Sequence, residues 1–185
     1  MTGSESITDP AMRRLVLLAG DQSLGEARVA GQLAAGDLAA ALWIAYTAPA
    51  GARATPVGKV NQCLGAESRL LVFNAHQGFH PDAFAAAVGT LRGGGDCVLL
   101  VPPLESWPAF ADPDKARFAC YPRGLNDMRG LFLERLLRLW RNHPAVRVAD
   151  PDSVPELRVA GPAIPEFQLT AEQRSAVVAI GRVAH

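Results

Sequence analysis

The chain has 185 residues, of which 49% are hydrophobic and 19% are charged, the balance of a globular protein that buries one sizeable core. Its 18 basic and 18 acidic residues cancel, so the overall charge points neither to nucleic acid nor to a membrane surface, and any such patch must be local. The three cysteines are widely spaced and form no CxxC pair, which predicts a reduced, cytoplasmic protein. The sequence has no signal-peptide pattern and no apolar run of about 20 residues, so we expect a soluble protein with no membrane partner.

Apolar runs that alternate with helical patterns dominate the first 150 residues. The predicted strands are, in chain order, Arg14–Ala19, Ala41–Thr47, Arg69–Ala75, Cys97–Val101 and Val146–Val148. Helices are predicted at 22–35, near Val57–Leu64, at Pro81–Leu91 and at 126–142. The strands are continuously apolar, which indicates burial on both faces in a parallel sheet. With right-handed crossovers, this order predicts an α/β protein, a three-layer Rossmann-like open sheet of four to five mainly parallel strands with helices on both faces.

The predicted domains follow changes in composition along the chain. We expect a disordered N-terminus at 1–10 and an α/β domain at 11–150, within which 104–124 is a long loop without periodicity. Four prolines between Asp150 and Pro165 predict a linker or an extended arm, which we assign to 151–168. The last segment, 169–185, predicts one helix of a further, truncated domain. Its Thr170 and Gln173 fit a capping box at the helix start.

The most distinctive segment, FNAHQGFHPD at 73–82, lies between the third strand and the next helix. In open α/β sheets this is the usual position of a ligand crevice, and the candidate crevice residues are Asn74, His76, Gln77 and His80. The alternative is purely structural, with Gly78 permitting a turn and Pro81 starting the helix. His76 and His80 are four residues apart, but Gly78 and Pro81 disfavour a continuous helix between them, so we predict no metal site.

No nucleotide or nucleophile motif is complete in this sequence. The glycines Gly93–Gly95 follow a helix and precede a strand, whereas phosphate loops follow a strand and precede a helix. They fit a helix C-cap and a tight return. The first βα turn, Gly20–Gly25, lacks both GxGxxG and GxxxxGK[ST]. GxSxG is also absent, and we assign no catalytic residue.

Arginines accumulate in and after the predicted helix at 126–142, whose N-cap is Asn126 or Asp127. Between residues 128 and 147, five arginines face one acid, Glu134, a local excess of four positive charges. The candidate RNA contacts are Arg129, Arg135, Arg138 and Arg141, and a solvated helix face is the alternative. The predicted buried stripe of this helix is Leu125, Met128, Phe132, Leu136 and Leu139.

These motifs together resemble a known family. VFNAHQGFHPDAFAAAVGTLRGGGDCVLLVPPLESW, at 72–107, is similar to the N-terminal domain of bacterial tRNA(Met) cytidine acetyltransferases: a strand, D/N-A-x-x-G-F, a helix ending in GTL, a glycine-rich return, an apolar strand, then proline and tryptophan. The similarity extends more weakly from RRLVLLAG at 13–20 through the arginine-rich helix. QLTAEQRSAV at 168–177 resembles the segment that precedes the family's ATPase module.

The resemblance implies an enzyme with this domain, a helicase-like ATPase domain and an acetyltransferase domain. Such an enzyme forms N(4)-acetylcytidine at the wobble position of elongator tRNA(Met), with acetyl-CoA and ATP (with Mg) as cofactors. This chain would be its N-terminal fragment, without a cofactor or catalysis of its own, packed on the ATPase module and in contact with tRNA. Gln173 would correspond to the Q-motif glutamine that reads adenine, and the phosphate loop would follow residue 185. The alternative is a free-standing Rossmann-like domain that binds a small molecule at Asn74–His80.

Overall fold

The structure, a computed structural model, describes residues 12–122, 124, 127–161, 172 and 175. Its strands are β1 Arg14–Ala19, β2 Leu42–Ile44, β3 Ala54–Thr55, β4 Leu71–Asn74, β5 Asp96–Val101 and β6 Val146–Ala149. Its α-helices are α1 Gln22–Gly31, α2 Ala35–Ala40, α3 Pro81–Thr90 and α4 Leu131–Arg141. Short 3₁₀ helices lie at Val57–Cys63, Ala75–Gln77, Trp107–Ala109 and Pro113–Phe118. None of the helices in these ranges is long and apolar enough to cross a bilayer.

The six strands form one sheet in the order β3-β2-β4-β5-β1-β6, and every neighbouring pair is parallel. This confirms the predicted parallel α/β architecture. The predicted count of four to five strands was too low. The strand that sequence patterns missed is β3, which has only two residues, Ala54 and Thr55, within a turn rich in proline and glycine. It pairs with β2 at the edge of the sheet.

Helices cover both faces of the sheet, which makes three layers. On one face, strand residues such as Leu17 pack with Ala87 of α3 and Leu137 of α4. On the other face, Val98 of β5 packs with Val29 of α1. Strands β4 and β5 are buried at every position, as their continuously apolar sequences predict. Because successive side chains of a strand point to opposite faces, such strands contribute to both halves of the core.

The first helical segment is divided in two. The sequence predicts one helix over 22–35, but α1 ends at Gly31 and α2 begins at Ala35. Asp21 caps α1 by accepting a hydrogen bond from the Leu24 amide at 2.9 Å. A helix ends readily at a glycine, whose freedom makes the helical conformation costly, and the chain then turns into α2 before it enters the sheet.

The arginine-rich helix begins later than predicted. α4 starts at Leu131 with Gly130 as its N-cap, whereas the sequence placed the cap at Asn126 or Asp127. Asp127 instead accepts a hydrogen bond from the Gly124 amide at 2.8 Å, and Asn126 lies outside the described residues. A Cβ atom at residue 130 would come within 2.0 Å of the Pro108 carbonyl oxygen. The close approach of these two backbones therefore requires glycine where the helix begins.

The predicted apolar stripe of this helix was wrong at Phe132 and Leu139, although Met128 is partly buried as predicted. Leu133 and Leu137 are the buried positions, whereas Phe132 and Leu139 are 54% and 58% exposed. Leu136 is partly buried, and Leu125 lies outside the described residues. Apolar residues occur around most of the helix, so their spacing alone did not decide which side of the helix is buried. Packing against the sheet selected the phase that contains Leu133 and Leu137.

Two further loops differ from the predictions. The C-cap of α3 is Leu91, not one of the three glycines, which instead form the return into β5. Gly94 has φ of +80°, a conformation that a side chain would strain. The predicted loop at 104–124 contains two short 3₁₀ helices, one of which buries Trp107 completely.

Residues 151–161, the described part of the proline-rich segment, first pass the end of α1, where the Pro155 carbonyl accepts from Gln32 Nε2 at 3.3 Å, and then reach the amino-terminal edge of the sheet. Asp96, fully buried at the start of β5, binds Arg14 and Arg158 through side-chain contacts of 2.5–3.0 Å. Its carboxylate also accepts the Arg158 amide at 2.7 Å, and its own amide donates to the Arg158 carbonyl. Further along, the Ala160 amide donates to the Arg69 carbonyl at 2.9 Å. The segment is therefore attached to two strands by backbone and charged contacts.

Replacing Asp96 by alanine should destabilise the protein by about 3 kcal/mol or more, because two arginines lose their shared buried partner and the Arg158 amide loses its acceptor. Urea unfolding followed by circular dichroism measures this loss. The matched control is Asp152→Ala, which removes a carboxylate whose ion pair with Arg28 is 54% and 83% exposed on its two sides. We expect less than about 1 kcal/mol there. Equal losses in both variants would contradict the role assigned to Asp96.

Candidate functional site

The carboxyl-terminal edge of the sheet has a topological switch point between β2 and β4. These strands are neighbours, but their following connections leave on opposite faces. The connection after β2 packs with the α1 cluster through Ala48 and Ala52, and the connection after β4 leads to α3 on the other face. Such a point opens a crevice in parallel α/β sheets. The predicted crevice residues Asn74 and Gln77 lie there, whereas His76 lies on the β5 side of β4.

Asn74, the last residue of β4, is 1% exposed, and both ends of its amide group are bound. Its Nδ2 donates to Glu26 Oε1 at 2.8 Å, and its Oδ1 accepts the His76 amide at 3.0 Å. Glu26 Oε1 also accepts from Gln22 Nε2 at 3.0 Å. Asn74 therefore connects the end of β4 to helix α1, and its buried amide group has hydrogen-bond partners at both ends.

Gln77 bridges the two loops that border the switch point. Its Oε1 accepts a hydrogen bond from the Tyr46 amide at 2.7 Å, and its Nε2 lies 3.5 Å from Thr47 Oγ1. The next residue, Gly78, has φ of +120°, which supports the prediction that glycine permits this turn. The side chain of Gln77, a predicted crevice residue, thus connects the loops that follow β2 and β4.

His76 is half-buried between β4, β5 and the first βα turn. Burial lowers the pKa of its imidazole below the usual 6.5, against smaller raising effects of the Asp21 carboxylate and of a hydrogen bond to the Val101 carbonyl. Its ring also meets Phe110 edge-on, with the centroids 6.4 Å apart. We therefore expect a neutral imidazole at neutral pH, held by a backbone carbonyl.

His80 has a separate role from His76. It is the N-cap of α3, where its Nδ1 lies 3.3 Å from the Ala83 amide, and its Nε2 lies 2.9 Å from Arg117 Nη1. Pro81 follows as the first helical residue, as predicted. Within the described ranges, no group of three or more His, Cys, Asp or Glu side chains is placed to hold a metal ion.

The four candidate RNA contacts lie together on and just before α4. Arg135, Arg138 and Arg141 are exposed along the helix, and Arg129 is exposed in the segment that precedes it. Arg141 Nη2 lies 3.8 Å from Glu105 Oε1. Among the described residues, Arg135 and Arg138 form no ion pair. The structure thus places all four side chains in contact with solvent.

Sequence reasoning missed the partners of the crevice residues. Glu26 and Asp21 belong to α1 and its cap, 48 residues or more before Asn74 in the chain. The only signal available was that Asp21 follows a predicted strand, the place where polar residues gather at the carboxyl edge. Gln173 lies outside the described residues. Its two predicted roles, in a capping box and as the adenine contact, therefore stay predictions.

The fold is that of a parallel α/β domain, and its helix α4 carries exposed arginines on one outer face. A model of the family described as "tRNA(Met) cytidine acetyltransferase TmcA, N-terminal" matches residues 4–151. A tRNA(Met) cytidine acetyltransferase TmcA of Nitrosococcus halophilus is 39% identical over 154 residues, 82% of this chain and 20% of the relative. Its namesake in Haloarcula marismortui is 34% identical over 76% of this chain and 18% of the relative. A third, from Citrobacter koseri, is 41% identical over 60% of this chain and 16% of the relative.

The chain therefore belongs to the family of tRNA(Met) cytidine acetyltransferase N-terminal regions, which confirms the resemblance inferred from residues 72–107. It spans about a fifth of the length of the curated relatives that it matches.

Acidification should reveal the buried position of His76. The unfolded chain binds the imidazole proton near pH 6.5 and the folded chain only at lower pH, so protons favour the unfolded state. The stability contributed by neutral His76 is complete above 6.5 and is lost as the pH falls from 6.5 towards the folded pKa. The free energy of unfolding should therefore fall less steeply below pH 6.5 in His76→Gln than in the wild type.

Titration of the His76 ring by NMR, with urea-unfolded protein as the control, measures the same effect directly. We expect a midpoint below 6.5 in the folded protein only. A folded midpoint at or above 6.5 would show that the Asp21 and Val101 contacts outweigh burial.

Proposed function

We propose that this chain is the N-terminal part of an enzyme that forms N(4)-acetylcytidine at the wobble position of elongator tRNA(Met). In this proposal, residues 11–150 form a non-catalytic domain that packs on the ATPase module and contacts tRNA through α4. Residues 151–168 connect the two, and 169–185 are the first helix of the ATPase. The observation that carries the proposal is the family match over residues 4–151, and the exposed arginines of α4 support the tRNA contact.

The arginines of α4 suit an RNA backbone in both charge and spacing. A step of three residues advances about 4.5 Å along a helix, so Arg135, Arg138 and Arg141 form a short ladder of guanidinium groups. Guanidinium binds phosphate through paired N–H donors and stays charged at all physiological pH values. Arg135 and Arg138, which have no ion-pair partner in the described part of the chain, need break no internal ion pair on binding.

The first βα turn does not fit the phosphates of ATP. In the first βα turn, Asp21 uses its carboxylate to cap α1, at the position where phosphate loops present backbone amides. Under our proposal, ATP (with Mg) and acetyl-CoA belong to the whole enzyme, with Gln173 as the adenine contact. No step of the reaction is assigned to residues 12–161.

The competing function, a small-molecule site at Asn74–His80, has less support. The polar atoms of Asn74 and Gln77 bind neighbouring elements of the protein itself, and His80 caps α3. A ligand there would have to replace these contacts, and each buried polar group left without a partner costs about 1–3 kcal/mol.

Charge reversal on α4 tests the tRNA contact. Arg135→Glu with Arg138→Glu should weaken tRNA binding by at least about tenfold, and should reduce the slope of log affinity against log salt concentration by about 2, one for each lost phosphate contact. Isothermal titration of the chain with tRNA measures both. Arg53→Glu with Lys59→Glu, two exposed residues beside β3 at the far edge of the sheet, changes the charge equally and should have little effect. Equal affinities for both double variants would refute the contact.

The chain by itself should show neither ATP hydrolysis nor acetyl transfer, because we assign both reactions to other parts of the enzyme. Phosphate release and transfer of radiolabelled acetyl groups from acetyl-CoA to tRNA are the measurements. Turnover that follows the purified chain through successive columns would overturn the non-catalytic assignment.

A further inference from the structure

A cavity of about 480 Å³ opens beside the start of α4, between α3 and the 3₁₀ helix Pro113–Phe118. This volume lies in the range of about 300–1,000 Å³ that is typical of small-molecule sites. The residues that matter to its chemistry are Phe79, Asp82, Arg117, Phe118, Arg129 and Phe132. None of them has a role in the switch-point crevice, and Arg129 is one of the four exposed arginines on and just before α4.

Aromatic rings form the floor and two walls of this cavity. Phe79 is 4% exposed at the base, and Phe132 stacks beside it with a centroid distance of 6.5 Å and an interplanar angle of 24°. Phe118 is 55% exposed, and the Arg117 guanidinium carbon lies 4.4 Å from its ring centroid. Half-exposed phenylalanines beside an arginine plane are the groups on which proteins stack unpaired nucleic-acid bases.

Most charged groups at the cavity already bind partners within the protein. Asp112 accepts the Phe79 and Asp114 amides, Lys115 Nζ donates to two backbone carbonyls, and Arg117 Nε lies 2.8 Å from Asp114 Oδ2. The interior therefore suits an uncharged, planar, apolar-faced group rather than a phosphate.

Two charged groups at the mouth of the cavity differ in what they can bind. Asp82 has a side chain that is 88% exposed and lies 3.8 Å from Arg117, so its oxygens can accept hydrogen bonds from exocyclic amines of a base. Arg129 is exposed and lines the cavity, and Arg135 is exposed about one helical turn beyond Phe132. A base in the cavity would thus have its phosphates beside the arginines of α4.

We propose that this cavity receives one unstacked base of single-stranded RNA, held between Phe118 and Phe132, while the adjoining phosphates lie along Arg129 and Arg135. The proposal rests on the tRNA contact proposed above and specifies its form. A base in a duplex is stacked on both sides and cannot enter such a slot, so the site selects loops and unpaired ends. An apolar protein segment bound in the cavity would gain nothing from Arg129 and Arg135.

Fluorescence anisotropy with the full chain tests the slot, using a labelled single-stranded oligoribonucleotide and a duplex of the same sequence. Phe118→Ala should weaken single-strand binding by about tenfold and leave duplex binding unchanged. Phe118→Trp should restore most of the affinity, because it restores a stacking surface. The matched control is Tyr46→Ala, which removes a 64% exposed ring at the carboxyl end of β2. We expect no change there. Circular dichroism confirms folding, which an exposed residue such as Phe118 should not disturb.

The outcomes separate this inference from the tRNA contact. Loss of binding on arginine reversal, with Phe118→Ala unchanged, would keep the contact and overturn the slot. A Phe118-dependent, salt-insensitive affinity that arginine reversal does not alter would support the base slot, but it would overturn both the arginine contact and the phosphate path along Arg129 and Arg135. Equal losses of single-strand and duplex binding in Phe118→Ala would overturn the slot. Self-association of the chain that Phe118→Ala abolishes, with RNA affinity unchanged, would assign the cavity to a protein partner and overturn it as well.

Discussion

The buried carboxylate of Asp96 is the contact on which the arrangement of this domain depends most. It joins the starts of β5 and β1 through Arg14, and it attaches residues 156–160 through Arg158. A carboxylate without exposure is costly unless its oxygens are bound, and here several donors converge on it. The segment after β6 is therefore attached to the sheet, and its residues Val154 and Leu157 pack against the core on the α1 face.

The two ends of the sheet have different consequences for function. At the carboxyl edge, a switch point would ordinarily offer a crevice, but Asn74 and Gln77 use their amide groups to connect neighbouring elements. The outer surface of α4 is different, because its arginines project away from the core. Our proposals therefore place recognition on a helix and an adjoining aromatic cavity rather than at the sheet edge.

The aromatic cavity exists because of the phase in which α4 packs. With Leu133 and Leu137 buried, Phe132 turns outward beside Phe79, and Arg135 lies one turn further along the same exposed side. Gly130 sets where this helix starts through its close approach to Pro108. The phase that the sequence suggested would have buried Phe132 and removed one wall of the cavity.

The amino-acid sequence alone determined the parallel α/β class, five of the six strands and the family. It did so because continuous apolar runs and turn residues are local patterns, and the motif at 72–107 is contiguous. It also located the arginines of α4 and the turn at Gly78. Only the tertiary structure decided the phase of α4, the partner of Asn74 and the placement of Phe118 and Phe132 at one cavity. These depend on which residues far apart in the chain pack together, and no local period encodes that choice.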